Sequence, residues 1–148
     1  MAGIGRILDC NQLVGERTTS QILETWKDGI FLKKEDITRN SKGLRSPQIG
    51  AIYATLSHWE ISADPATVVM PTGTGKTEVM LSLLIAASCY KTMIVVPTDA
   101  LRTQISNKVA SLGLLGDPQF DLIKETVLKP IVGVMSHRPC SAEEAIAF

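Results

Sequence analysis

The chain has 148 residues, 45% hydrophobic and 20% charged, the size of one ordinary globular domain, able to bury roughly two thirds of its unfolded surface. Fifteen basic and fifteen acidic side chains cancel, so no whole-molecule field draws it to nucleic acid or anionic membrane, and such contacts must come from local groups. The three cysteines, Cys10, Cys89 and Cys140, are an odd number without close pairing, which disfavours a disulfide framework and suits reduced thiols in a cytoplasmic protein.

No internal repeat or low-complexity tract interrupts the chain, which reads as a helical N-terminal arm over residues 1–43 followed by one α/β unit over 44–148. In the arm, residues 19–26 place apolar side chains at helical spacing behind hydroxyl caps, with Gly29 as a stop. Basic residues are in excess between Trp26 and Ser46 (Lys27, Lys33, Lys34, Arg39, Lys42 and Arg45), a stretch read as a solvated charged surface. Ser46-Pro47 opens the next helix, Ser46 as N-cap, with Ile49, Ile52, Tyr53, Leu56 and Trp59 on its apolar side.

Residues 66–70 are short, apolar and β-branched, as a strand covered on both faces would be. A glycine-rich turn follows, then a helix from Lys76 to about Cys89. Residues 92–96 form a second expected strand, ended by Pro97, and the strand–helix–strand order predicts a right-handed crossover and a parallel sheet. Thr98 caps a helix through about Leu112, residues 130–135 are a third possible strand, and Ser141-Ala142-Glu143-Glu144 has the form of a capping box. His137 and Cys140 lack the second ligand pair that a zinc site needs. The most apolar run, residues 79–87, is broken by Ser82 and falls short of the ~20 residues that cross a bilayer; neither it nor the short N-terminal apolar stretch targets the chain to a membrane or for secretion.

The chemistry concentrates at Met70-Pro71-Thr72-Gly73-Thr74-Gly75-Lys76-Thr77. Gly73 and Gly75 lack Cβ atoms, so successive N–H groups can converge on a phosphate while the next helix adds its partly positive N-terminus. Lys76 supplies charge for the β- and γ-phosphates and Thr77 a hydroxyl for Mg²⁺. The strict pattern begins with glycine where this chain has Met70, but the anion nest is built from the later residues.

This octapeptide resembles motif I of the superfamily 2 helicases, the DEAD/DEAH-box and restriction-enzyme group. The run from Val95 through Pro97-Thr98-Asp99-Ala100-Leu101-Arg102-Thr103-Gln104 is similar to their motif Ia, and Leu44-Arg45-Ser46-Pro47-Gln48 to the adenine-recognition motif before motif I. The resemblance implies a RecA-like, P-loop nucleotide-binding domain with a parallel sheet and flanking helices. It implies ATP and Mg²⁺ as cofactors, held by Thr72, Gly73, Thr74, Gly75, Lys76 and Thr77, with Lys76 and Thr77 in the catalytic role and Thr77 on the metal. Gln48 would pair with the adenine edge and Arg45 would lie against the base. Pro97, Thr98, Leu101 and Gln104 would grip a nucleic-acid backbone, DNA favoured over RNA. The plain readings of these last two motifs, a surface arginine with a helix-terminal glutamine and an ordinary capped helix, stay open at this point.

Hydrolysis needs an Asp for Mg²⁺ and a Glu that orients water, on a strand of their own. No acidic residue after Lys76 follows an apolar strand in that manner, so the expectation is a helicase piece that ends before motif II. It would bind nucleotide weakly and be inactive alone, with the rest of the core on the same or another chain. A small kinase, or a non-catalytic half-domain that docks on a partner, are the competing readings.

Overall fold

In a computed structural model the protein is described over residues 5–9, 18–135 and 140–143, the first of these stretches by its backbone alone. Strand β1 (Gly5–Asp9) is followed by helices α1 (Thr19–Trp26), α2 (Ser46–Ile61), α3 (Lys76–Ala86) and α4 (Asp99–Ser111), a 3₁₀ turn (Gly113–Gly116) and strand β2 (Ile131–Met135).

The helix boundaries follow local chemistry. Thr18 caps α1 by accepting from Gln21 N at 3.3 Å, and the Gln21 side chain returns the bond to Thr18 N at 2.9 Å, which satisfies two otherwise orphaned donors. At α2 the expected cap shifts by one residue. Arg45 occupies the N-cap position and Ser46 is already helical; Gln48, at the third helical position, reaches back with Oε1 to accept from Arg45 N at 2.7 Å, which satisfies the backbone donor of the cap residue itself. Helix α3 stops at Ala86, three residues earlier than its composition suggests, where Ser88 turns to a positive φ of 46°. Helix α4 is capped by the Thr98 hydroxyl and ends at Leu112, whose left-handed φ of 62° is unusual for a bulky residue. That residue is fully buried, and burial of a leucine side chain contributes about 2 kcal/mol, enough to offset the strain.

The core is a single cluster. Ile52 of α2, Val79, Leu81 and Ile85 of α3, Val109 of α4, and Leu112, Leu115 and Leu122 pack together with Ile22, Trp26 and Leu44. The arm is therefore part of the same core. Trp26 Nε1 donates to the Leu128 carbonyl at 2.8 Å, Leu128 N donates to Thr25 Oγ1 at 3.0 Å, and Phe31 N donates to the Leu122 carbonyl at 2.7 Å. On α2 the buried positions are Gln48, Ile52 and Thr55, while Tyr53 and Trp59 of the expected apolar side are half exposed.

The sheet differs from the expectation. Among the described residues it has two strands, β1 and β2, paired antiparallel with Gly5 opposite Met135 and Asp9 opposite Ile131. Residues 131–135 are thus a strand, but their partner comes from the arm, where none was foreseen. The two segments expected at the centre of a parallel sheet, 66–70 and 92–96, carry no strand assignment, and no backbone hydrogen bond joins them. Parallel ladders persist where both faces are covered. Here Val69 and Val95 are 88% and 84% exposed, and Val68, Met93 and Ile94 also face outward. The parallel sheet and right-handed crossover are accordingly not formed among these residues, and the architecture is helix-rich. The helix expected from Ser141 runs into residues outside those described, as do Cys10 and His137. No helix among the described residues is long and apolar enough to cross a membrane.

Candidate nucleotide cleft

The glycine-rich loop sits where residue 70 turns into α3. Gly73 and Gly75 have φ of +81° and +85°, the left-handed values that side chains disfavour. Gly75 is also the N-cap of α3, so the first N–H groups of that helix, starting at Lys76, open onto the loop. Lys76 Nζ donates to the Met70 carbonyl at 2.8 Å and to the Pro71 carbonyl at 2.9 Å, and Thr74 Oγ1 donates to Pro71 O at 2.6 Å. An ammonium has three donors, so one N–H of Lys76 is left for an anion.

The start of α2 braces this loop from the side. Gln48, 4% exposed, donates through Nε2 to the Gly75 carbonyl at 3.3 Å, and Arg45 Nη1 donates to the Gly73 carbonyl at 3.2 Å. A Cβ on Gly75 would collide with Gln48 Nε2. Both ends of the Gln48 amide are engaged, the oxygen by Arg45 N. In this arrangement Arg45 and Gln48 are tied to the glycine loop itself, where the motif resemblance had implied the base.

A cleft of about 820 Å³ opens over the loop, a size that accommodates a nucleotide-scale ligand. It gathers Arg45, Gln48, Thr72, Gly73, Gly75, Lys76 and Thr77, and Gln104 of α4 joins them. Thr74 is turned into the loop's own bonding. Pro97, Thr98 and Leu101 are exposed elsewhere on the approach to α4, and the Thr98 hydroxyl is occupied by Leu101 N at 3.3 Å. Gln104 thus lines this cleft, and the other three residues of its motif do not.

Several cleft residues escaped the sequence reading. Lys108 follows Gln104 by four residues and so shares its helix face, a signal that was there to be used. Residues 35–43 of the arm form another wall. Asp36 and Ser41 exchange backbone bonds, both 2.9 Å, around a turn in which Asp36 Oδ1 accepts from Thr38 Oγ1 at 2.5 Å and Thr38 N at 3.0 Å. The Thr38 hydroxyl holds the Asp36 carboxyl below the usual aspartate range, against the opposing effect of desolvation and with help from the Arg39 and Thr38 amides and Lys34. Gly43 lets this wall close up, since a Cβ there would stand 2.7 Å from the Lys33 carbonyl oxygen. Lys42 reaches across to Gln119 and stacks its ammonium 5.2 Å from the Phe120 ring centre. No spacing in the sequence joins residue 42 to residue 120.

Behind the loop lies a separate apolar hollow of about 300 Å³ between α3, Trp59, Val68 and Ile94. Cys89 borders it. Burial pushes its thiol up, and a bond with the Thr92 side chain acts in the other direction. Among the described residues no cluster of His, Cys, Asp or Glu could by itself hold a metal ion.

The family model described as type III restriction enzyme, res subunit, matches residues 41–126. That span runs from the cleft wall at Ser41 through the loop and α4. No characterised protein and no solved structure matches the chain significantly.

Proposed function

The chain belongs to the type III restriction enzyme res-subunit family, a helicase-like family, and from that premise we propose that it forms the nucleotide-binding part of an ATP-dependent helicase or translocase. One observation carries the reading: two left-handed glycines, Gly73 and Gly75, lead directly into the N-terminus of α3 and its Lys76 on the floor of a nucleotide-sized cleft. This is the geometry in which backbone N–H groups and a helix dipole receive an anion.

The residues fit Mg-ATP. Lys76, now bonded to two carbonyls of its own loop, would exchange them for phosphate oxygens, and Thr77, at the second position of α3, would offer its hydroxyl to Mg²⁺. When bound, Mg²⁺ would neutralise charge on the phosphates. Thr72, Gly73, Thr74 and Gly75 would shape the anion nest. Gln48, one amide away from Gly75, is suited to brace that nest and to meet the adenine edge only if it releases a bond. A nucleic-acid backbone, DNA before RNA, would run past Pro97, Thr98 and Leu101, with Gln104 turned to the nucleotide side. The proposal concerns binding in a cytoplasmic setting. Turnover requires a carboxylate pair on a further strand, which the rest of a helicase core would supply.

Equilibrium binding of a fluorescent ATP analogue in the presence of Mg²⁺ tests this. The expected result is saturable binding that Lys76→Ala abolishes, and equal affinity of the two proteins would overturn the reading.

A further inference from the structure

Two charged side chains outside the recognised motifs meet at the edge of the phosphate loop. Glu78 Oε1 and Lys108 Nζ lie 3.2 Å apart, with the glutamate side chain 13% exposed and the lysine 39%. Glu78 follows Thr77 in the first turn of α3, and its other oxygen, Oε2, would stand 3.1 Å from a Cβ on Gly75. Lys108 arrives from α4, and both residues line the same cleft as Gly73, Gly75 and Lys76.

A carboxylate in the first turn of a helix interacts well with the helix dipole. Beside an anion nest it also competes with the anion that the nest is built to hold, and like charges brought together in a partly desolvated cleft repel. Lys108 offsets that repulsion. Its ammonium carries three donors on a flexible four-carbon stem, and Glu78 uses one of them.

We propose that Lys108 is a second phosphate-directed cation of this cleft, stored on Glu78 while the loop is empty and turned towards the phosphates of a bound nucleoside triphosphate. The inference rests on the nucleotide reading of the cleft. It gives α4 a direct stake in the phosphate charge: a triphosphate engages Lys108 more strongly than a diphosphate does, and the pull is transmitted to the helix that begins at Asp99.

The test is competition of Mg-ATP and Mg-ADP against the fluorescent analogue for the wild type, Lys108→Met, Lys108→Arg and Glu78→Gln, with thermal melts alongside. Lys108→Met is expected to weaken ATP about fivefold and ADP less than twofold, while Lys108→Arg retains most of the ATP affinity. Glu78→Gln, which frees the ammonium, is expected to tighten ATP. A merely structural ion pair gives a different pattern, with both neutralising variants lowering the melting temperature and neither raising ATP affinity. Changes of the same sign in Glu78→Gln and Lys108→Met, or equal losses of ATP and ADP in Lys108→Met, would overturn the proposal. Should one neutralising variant fail to fold, Lys108→Arg and the Glu78→Gln/Lys108→Met double variant still decide it, because the double variant must show a lower ATP-over-ADP preference than the wild type and an unchanged preference overturns the proposal. If Lys76→Ala loses binding and the Lys108 variants do not, this inference alone fails; if the wild type does not bind nucleotide, both readings fall.

Discussion

Gln48 donates its side-chain amide to the carbonyl of Gly75 at 3.3 Å, so the first turn of one helix holds the N-cap of the next. The bond spans 27 residues of sequence and fixes the loop at the edge of the cleft that both residues line.

This contact predicts an unusual genetic interaction. Gly75→Ala places a methyl group against Gln48 Nε2 at a backbone φ of +85°, which costs about 1–2 kcal/mol from conformation alone and more from the collision. Gln48→Ala removes the obstacle. In thermal melts, the double variant should therefore recover part of the stability that Gly75→Ala loses, and strict additivity would show that Gln48 does not set the loop's shape.

Trp26 ties the arm to the rest of the chain, being 3% exposed and bonded to the Leu128 carbonyl. Trp26→Ala should destabilise by about 3–5 kcal/mol through lost packing. Trp26→Phe keeps most of the contact and should cost about 1 kcal/mol, the loss of one hydrogen bond to a part-buried carbonyl. Urea unfolding of both proteins checks the order. An arm that contributes little to the core would show both losses near zero.

The open valines on residues 66–70 and 92–96 predict self-association. Unpaired apolar segments present backbone donors and acceptors to other chains, and Val69 and Val95 carry the most exposed side chains among them. Replacing both by lysine should lower light scattering at high protein concentration and change stability by no more than about 0.5 kcal/mol each. Unchanged scattering would place the association elsewhere.

The turn at Asp36 predicts a pH response. Its carboxyl is held below the ordinary value of 3.8, first by the Thr38 hydroxyl. A folded-state pKa depressed in this way means the turn is stabilised above the unfolded pKa, and that contribution is lost as pH falls through the lower folded value. Carbon-13 NMR titration should give an Asp36 midpoint below 3.8, moving up in Thr38→Ala. An identical midpoint in the two proteins would remove the hydroxyl as the cause.

The glycine-rich loop that leads into α3 was legible in the sequence by itself because its pattern is local. Two glycines, a lysine and a hydroxyl must stand within one turn of one another, and their spacing along the chain is their spacing in space. Helix α4 was legible for the same reason: Thr98 caps a residue three positions away. Only the tertiary structure decided what surrounds the loop. Asp36, Lys108 and Phe120 come from three separate segments, and the pairing of β1 with β2 joins residues 5–9 to residues 131–135. The apolar runs at 66–70 and 92–96 show the boundary between the two kinds of knowledge. Their composition suits buried strands, but a strand exists by virtue of the neighbour that completes its hydrogen bonds, and a segment's own residues do not contain that neighbour.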